Sequence, residues 1–165
     1  MERDRNWEFS NAGPEPEPGT HLTRRIYIGV PAEEVWEWLV DPDRVYQYHL
    51  LNLQSRPMAA GDPLEYVSKL AGQVVVHGEV REWVEARRLV HTFQFETDFP
   101  EEPSQVTWEL IRYGEAMCLL TLTHEGLTRG GETYASVQNS WDVILFSLKT
   151  VVETGRPLPW PSRHR

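Results

Sequence analysis

The sequence holds a single cysteine, Cys118, among 165 residues. One thiol cannot form an internal disulfide and cannot supply a four-cysteine zinc site. Positive charge is also scarce: 16 Lys and Arg stand against 25 Asp and Glu, a formal net charge of −9. A nucleic-acid-binding surface needs a basic face that displaces phosphate counterions. The basic clusters here are small, at Arg24–Arg25, Arg87–Arg88 and the tail Arg163–Arg165. Neither nucleic acid nor an anionic membrane is expected as a partner. No apolar run comes near the roughly 18 residues of a membrane-spanning helix, and the start MERDRNWEF has no signal-peptide core. The expectation is a cytoplasmic protein. Catalytic and nucleotide motifs are missing too: there is no Ser-His-Asp signature, no GxGxxG and no phosphate-binding loop, and HEG at 124–126 is not HExxH.

What the chain does have is aromatic bulk, with 7 Trp, 6 Tyr and 5 Phe. A chain of this size buries about 70% of its unfolded surface, enough for one core with a cavity in it. Aromatics beyond the needs of that core would line an apolar pocket.

Residues 133–154, TYASVQNSWDVILFSLKTVVET, carry apolar side chains at Val137, Trp141, Ile144, Leu145, Leu148, Val151 and Val152. That three-and-four spacing predicts one long helix with a wide apolar face. Gly155 is placed to stop it and Pro157 to prevent its resumption. The segment before it is read as mostly strand. Residues 1–20, ending in GPEPEPGT, predict a disordered arm, because alternating Pro and Glu favours solvated chain. Residues 21–158 read as one domain and 159–165 as a tail. Leu22–Val30 predicts the first strand, Pro31 opens a helix over 32–40, and a short second helix capped by Asp41 or Asp43 follows in DPDRVYQYHLL. Strands are expected within 53–58 (weak), 64–70, 73–85, 88–96, 104–113 and 117–125, with Gly78 marking a bulge and 128–132 a flexible hinge. Period-two parity places Leu89, His91, Phe93 and Phe95 on one inner face, with Val106, Trp108 and Leu110, and with Cys118, Leu120, Leu122 and His124.

The segments IYIGVPAEEVWEWLVDPD, GEVREWVEARRLVHTF, SQVTWELIRYGEAMCLLTLTHEGL and SLKTVVETG, in that order, resemble the heat-shock-protein-90 ATPase activator homologue family. That family is a branch of the START/polyketide-cyclase (SRPBCC) superfamily. The resemblance implies an α+β helix-grip fold like START and Bet v 1 proteins: a curved antiparallel sheet of six to seven strands wrapped around the C-terminal helix, with a cavity between them. It implies either a ligand-binding protein or a co-chaperone-like, stress-response interaction module, and admits a homodimer or a chaperone partner. The eukaryotic namesake also needs a separate N-terminal domain, which the short arm cannot replace. Relatives in the superfamily bind sterols, lipids or polyketides and a few catalyse cyclisation or dehydration. They share no universal catalytic residue, so none is assigned here, and no cofactor or metal is expected.

The expected ligand wall is drawn from Trp36, Tyr46, Tyr48, His49, Tyr66, His91, Phe93, Trp108, Leu120, Trp141 and Leu145. His91 and His124 on the concave face can orient a polar group, act as acid and base, start a metal site for which no third ligand stands at a helical or hairpin spacing, or be satisfied core residues. Tyr46, Tyr48 and His49 sit where the cavity mouth is expected, or simply pack on the long helix. The tryptophans, Tyr66 and Phe93 can be core or ligand wall. Glu79, Glu82 and Glu85 read as a solvated strand face paired with Arg81, Arg87 and Arg88 rather than as catalytic carboxylates. Cys118 reads as an inert buried thiol. The first expectation is therefore a protein that binds an apolar or amphipathic small molecule. A cyclase or dehydratase using the pocket histidines is the third, after the interaction module.

Overall fold

The computed structural model describes residues 17–159. Most of the expected arm, with Trp7 and Phe9, and the tail from residue 160 lie outside the described residues. The elements run β1 (Glu17–Ile28), α1 (Ala32–Val40), α2 (Pro42–Tyr48), β2 (Asn52–Leu53), β3 (Tyr66–Val67), β4 (Val74–His77), β5 (Val80–Val84), β6 (Arg88–Phe95), β7 (Ser104–Tyr113), β8 (Met117–Arg129) and α3 (Glu132–Thr154). The strands pair antiparallel in the order β1-β8-β7-β6-β4-β3-β2, with β5 also on β6. The result is an α+β helix-grip architecture, a curved sheet closed around α3.

Three local departures from the expected boundaries have physical causes. β1 begins at Glu17 rather than Leu22, because β8 runs on to Arg129 and offers backbone partners to the Pro-Glu segment (Glu17↔Arg129, Thr20↔Leu127). Two register shifts absorb Pro18 and Gly19, which an edge strand tolerates. The 73–85 strand divides at Gly78 into β4 and β5, which brings the sheet to 8 strands. A Cβ at Gly78 would lie 2.6 Å from the Leu64 carbonyl oxygen and also against that of Thr92, so only glycine admits this approach. Third, the expected hinge at 128–132 is the end of β8 and the start of α3, joined by Gly130 and Gly131 alone.

The helix ends follow ordinary capping chemistry. Asp41 accepts from the Asp43 backbone N–H at 3.0 Å and so caps α2. α3 has glycine, Gly131, at its N-cap and no cap of its own. Glu101, from the β6–β7 connection, supplies one: its Oε2 accepts from the Thr133 N–H at 2.8 Å. At the far end Gly155 takes φ 74° and donates its N–H to the Val151 carbonyl at 2.8 Å, ending the helix as its sequence predicts.

α3 buries Val137, Trp141, Ile144, Leu145, Leu148 and Val151. They meet Leu89, Phe93, Val106, Trp108, Leu110, Leu120 and Leu122 in one continuous core. Each fully buried side chain of this size contributes about 1.5–3 kcal/mol. Arg24 fixes the β1 edge onto the helix, its Nε 2.6 Å from Asp142 Oδ1 and its Nη2 3.1 Å from the Gln138 carbonyl. On the outer face Leu119 is also buried, although parity puts it on the wet side; Tyr27 and Ile111 flank it on the neighbouring strands.

Candidate functional site

Two histidines on the concave face are held in a closed hydrogen-bond system. Trp108 Nε1–H donates to His91 Nε2 at 3.1 Å, and an indole nitrogen can only donate, so the His91 proton is on Nδ1. That Nδ1–H donates to the Thr92 carbonyl at 2.9 Å. Trp141 Nε1–H donates to His124 Nδ1 at 3.0 Å, which puts the His124 proton on Nε2, 2.7 Å from Ser104 Oγ. The Ser104 hydroxyl in turn donates to the Phe93 carbonyl at 3.1 Å. Burial pushes His91 down to about 4 and His124 down to about 3, the latter helped by His91. Both rings are therefore neutral at physiological pH, with every ring nitrogen satisfied. The two indoles cross edge to face, centroids 5.6 Å apart. This is a structural system that locks sheet to helix.

Beside it lies an apolar cavity of about 240 Å³. Its walls come from the segment after α2 (His49, Leu50, Leu51), from Tyr66, from Val75 and Val76 of β4, from Phe93 and Phe95 of β6, and from Ser136, Val137, Ser140, Trp141 and Ile144 of α3. No charged side chain is among these lining residues. The polar groups of the wall are the His49 ring and the hydroxyls of Tyr66, Ser136 and Ser140. The His49 ring stacks on Tyr66 at 4.6 Å and 11°. Its Nδ1 accepts from the Leu51 N–H at 3.0 Å, so the neutral ring carries its proton on Nε2. That Nε2 is buried and has no hydrogen-bond partner among the described residues. Burial, and then nearby Lys69, push His49 down to about 3. Burial also raises the Tyr66 phenol, which stays protonated.

Of the residues the sequence singled out, His49, Tyr66, Phe93 and Trp141 line this cavity. The others sit elsewhere. Trp36 packs edge to face on Trp83 at 4.9 Å, beneath α1. The Tyr48 hydroxyl donates to the Trp38 carbonyl at 2.7 Å. Tyr46 is 53% exposed, with the Lys69 ammonium 4.8 Å from its ring centre. His91 and Trp108 belong to the bonded system above, and Leu120 and Leu145 are core. The wall residues not anticipated are chiefly Leu50, Leu51, Val75, Val76, Phe95 and Ser140. Phe95 was on the right parity; Val75 and Val76 needed the break at Gly78 to be known.

The remaining candidates take the quieter of their two roles. Arg81 pairs with Glu79 and Arg88 with Glu82, each at 2.9 Å, and Arg88 also with Glu109. Such exposed pairs contribute up to about 1 kcal/mol each. Cys118 is fully buried and burial raises its thiol pKa. Among the described residues no three His, Cys, Asp or Glu side chains converge as a metal site, and no helix is long and apolar enough to cross a membrane.

No curated protein matches the chain in sequence. Solved structures do. DynU16, a protein of the dynemicin biosynthetic locus, is 27% identical over 83% of this chain, with TM-score 0.69; this chain spans only 48% of that one. CalU16 from Micromonospora echinospora is 22% identical, covering 88% of this chain and 86% of its own, TM-score 0.65. The Aha1 dimer from Colwellia psychrerythraea is 18% identical, covering 82% and 98%, TM-score 0.64. A family model described as "Activator of Hsp90 ATPase homolog 1-like protein" matches residues 29–153, from the turn before α1 to the last turn of α3. With the sheet wrapped on α3 and most of the domain matched, the chain belongs to the activator of Hsp90 ATPase homolog 1-like family.

Proposed function

We propose that this protein binds a small, largely apolar molecule in the cavity between the sheet, the segment 49–51 and the N-terminal half of α3. The observation that carries the reading is the cavity itself. Protein interiors are packed about as densely as organic crystals, with few voids larger than a water. A concave space of about 240 Å³ walled by aromatic and branched side chains, between sheet and long helix, is the kind of apolar site that holds a small ligand. The similarity to a protein of a biosynthetic locus supports a small-molecule role. His91 and His124 spend their ring nitrogens within the core, so the reading is binding rather than turnover.

The test is to fill the space. Ser140 sits on the wall and is half-buried, so Ser140→Phe occupies the void from the helix side without replacing a core residue. Apolar small molecules that raise the melting temperature of the wild type should lose that effect in the variant. Hits that stabilise both equally would place binding elsewhere.

A second reading, docking of a protein partner, draws on the outer sheet face. Tyr27 and Tyr113 are about half exposed there, rings 5.5 Å apart, beside exposed Ile111 and Met117. The family's co-chaperone member and the dimeric relative make such a surface worth testing by cross-linking.

A further inference from the structure

The wall of the cavity restricts the chemistry of its occupant. We infer that the site takes an uncharged aryl carbonyl compound, its carbonyl oxygen accepting a hydrogen bond from His49 Nε2–H. The inference rests on the cavity being a ligand site.

Four observations converge on it. The Leu51 N–H occupies His49 Nδ1 at 3.0 Å, which fixes the tautomer and makes Nε2 a donor and not an acceptor. His49 is 6% exposed, and its Nε2 is sealed from water with no partner. A buried unpaired N–H is costly and calls for a partner, a water or a ligand group; the Trp36 and Trp38 indoles are unpaired too, but only His49 is on the cavity wall. An acceptor atom on the occupant satisfies it. No charged side chain lines the space, so an ionised ligand group would be buried unpaired. The body of the ligand faces the stacked His49–Tyr66 pair together with Phe93, Phe95 and Trp141, surfaces that suit a flat ring system.

Size sets a further bound. Filled to protein-like density, roughly 0.74, the cavity accepts a molecule of about a dozen non-hydrogen atoms, the size of a two-ring aryl ketone. Nε2 is covered while the cavity is empty, so the carbonyl reaches it by displacing a neighbouring wall side chain. Leu50, 48% exposed at the rim, stands directly after His49 in the chain.

The experiment is calorimetric titration of the full chain at pH 7 with three probes of one shape: methyl naphthyl ketone, isopropenylnaphthalene and naphthoate. The wild type should bind the ketone about three- to tenfold more tightly than the hydrocarbon, the usual range for one added hydrogen bond, and naphthoate less tightly than the ketone. His49→Asn keeps a side-chain acceptor within reach of the Leu51 N–H but removes the outer donor. In it the ketone's advantage over the hydrocarbon should vanish, while loss of the imidazole face weakens both probes alike. His49→Gln, which returns an amide N–H near the Nε2 position, should recover part of the ketone preference. Equal binding of ketone and hydrocarbon by the wild type would overturn the acceptor assignment and leave the cavity reading standing. Tighter binding of naphthoate would overturn the requirement for a neutral ligand. Failure of both ketone and hydrocarbon to bind would overturn the cavity reading itself. If circular dichroism shows His49→Asn unfolded, the three-probe comparison on the wild type decides alone.

Discussion

Lowering the pH from 7 to 5 should destabilise this protein sharply. His49, His91 and His124 are all buried, and burial is the leading cause that takes them from 6.5 down to about 3, about 4 and about 3. A histidine with a depressed folded pKa stays neutral in the fold but takes a proton in the unfolded chain below pH 6.5. Its contribution is therefore complete above pH 6.5 and is lost as pH falls toward the folded value. Each pH unit below the unfolded pKa costs about 1.4 kcal/mol per group. From pH 7 to 5 that is about 2 kcal/mol for each ring and about 6 kcal/mol for the three together, comparable to the whole stability of many domains. Urea unfolding followed by tryptophan fluorescence at half-unit steps of pH measures it. The slope near pH 5 should approach three protons, about 4 kcal/mol per pH unit, and one should vanish in His124→Gln. Stability that is flat between pH 7 and 5 would mean the three rings protonate in the native state, and the closed bonding system around His91 and His124 would be wrong.

The other predictions concern the same contacts. His91→Phe keeps ring volume but strands the Trp108 N–H, so it should cost about 1–3 kcal/mol; the double variant with Trp108→Phe should cost no more than Trp108→Phe alone, a coupling that a urea-melt mutant cycle reads directly. Glu101→Ala removes the only side-chain cap of α3 among the described residues and should cost about 1 kcal/mol, with faster amide exchange confined to the first turn of the helix.

Much of the fold was legible because periodicity is a local property. The apolar face of α3 reads directly from Val137 to Val151, and the alternation in 88–96, 104–113 and 117–125 assigns inner faces that the structure keeps. The Pro-Glu stretch at 17–20 misled because its strand character comes from a partner about a hundred residues away, the long tail of β8. The cavity was half legible. Phe93 and Trp141 follow from parity and helical spacing, His49 from its place at the expected mouth, and Tyr66 only as an aromatic open to either core or wall. The bonding of the histidines was not, since it depends on register. His91 pairs with Val106, so Trp108 is its diagonal neighbour, and His124 also pairs with Val106, which brings Ser104 diagonally beside it. Trp141 reaches His124 from another layer, and nothing in the sequence sets that distance.

The central claim is that a small apolar molecule sits between the sheet and the N-terminal half of α3. The most direct measurement is intermolecular nuclear Overhauser contacts from methyl naphthyl ketone to the methyl groups of the selectively labelled protein. Val75, Val76, Val137 and Ile144 line the proposed cavity, while Ile26 lines a separate surface groove between β1 and the C-terminal half of α3, with Phe146 and Lys149. Contacts to the first four methyl-bearing residues, with none to Ile26, are the predicted result. Contacts to Ile26 alone, or saturable binding with no contact to the four, would contradict it.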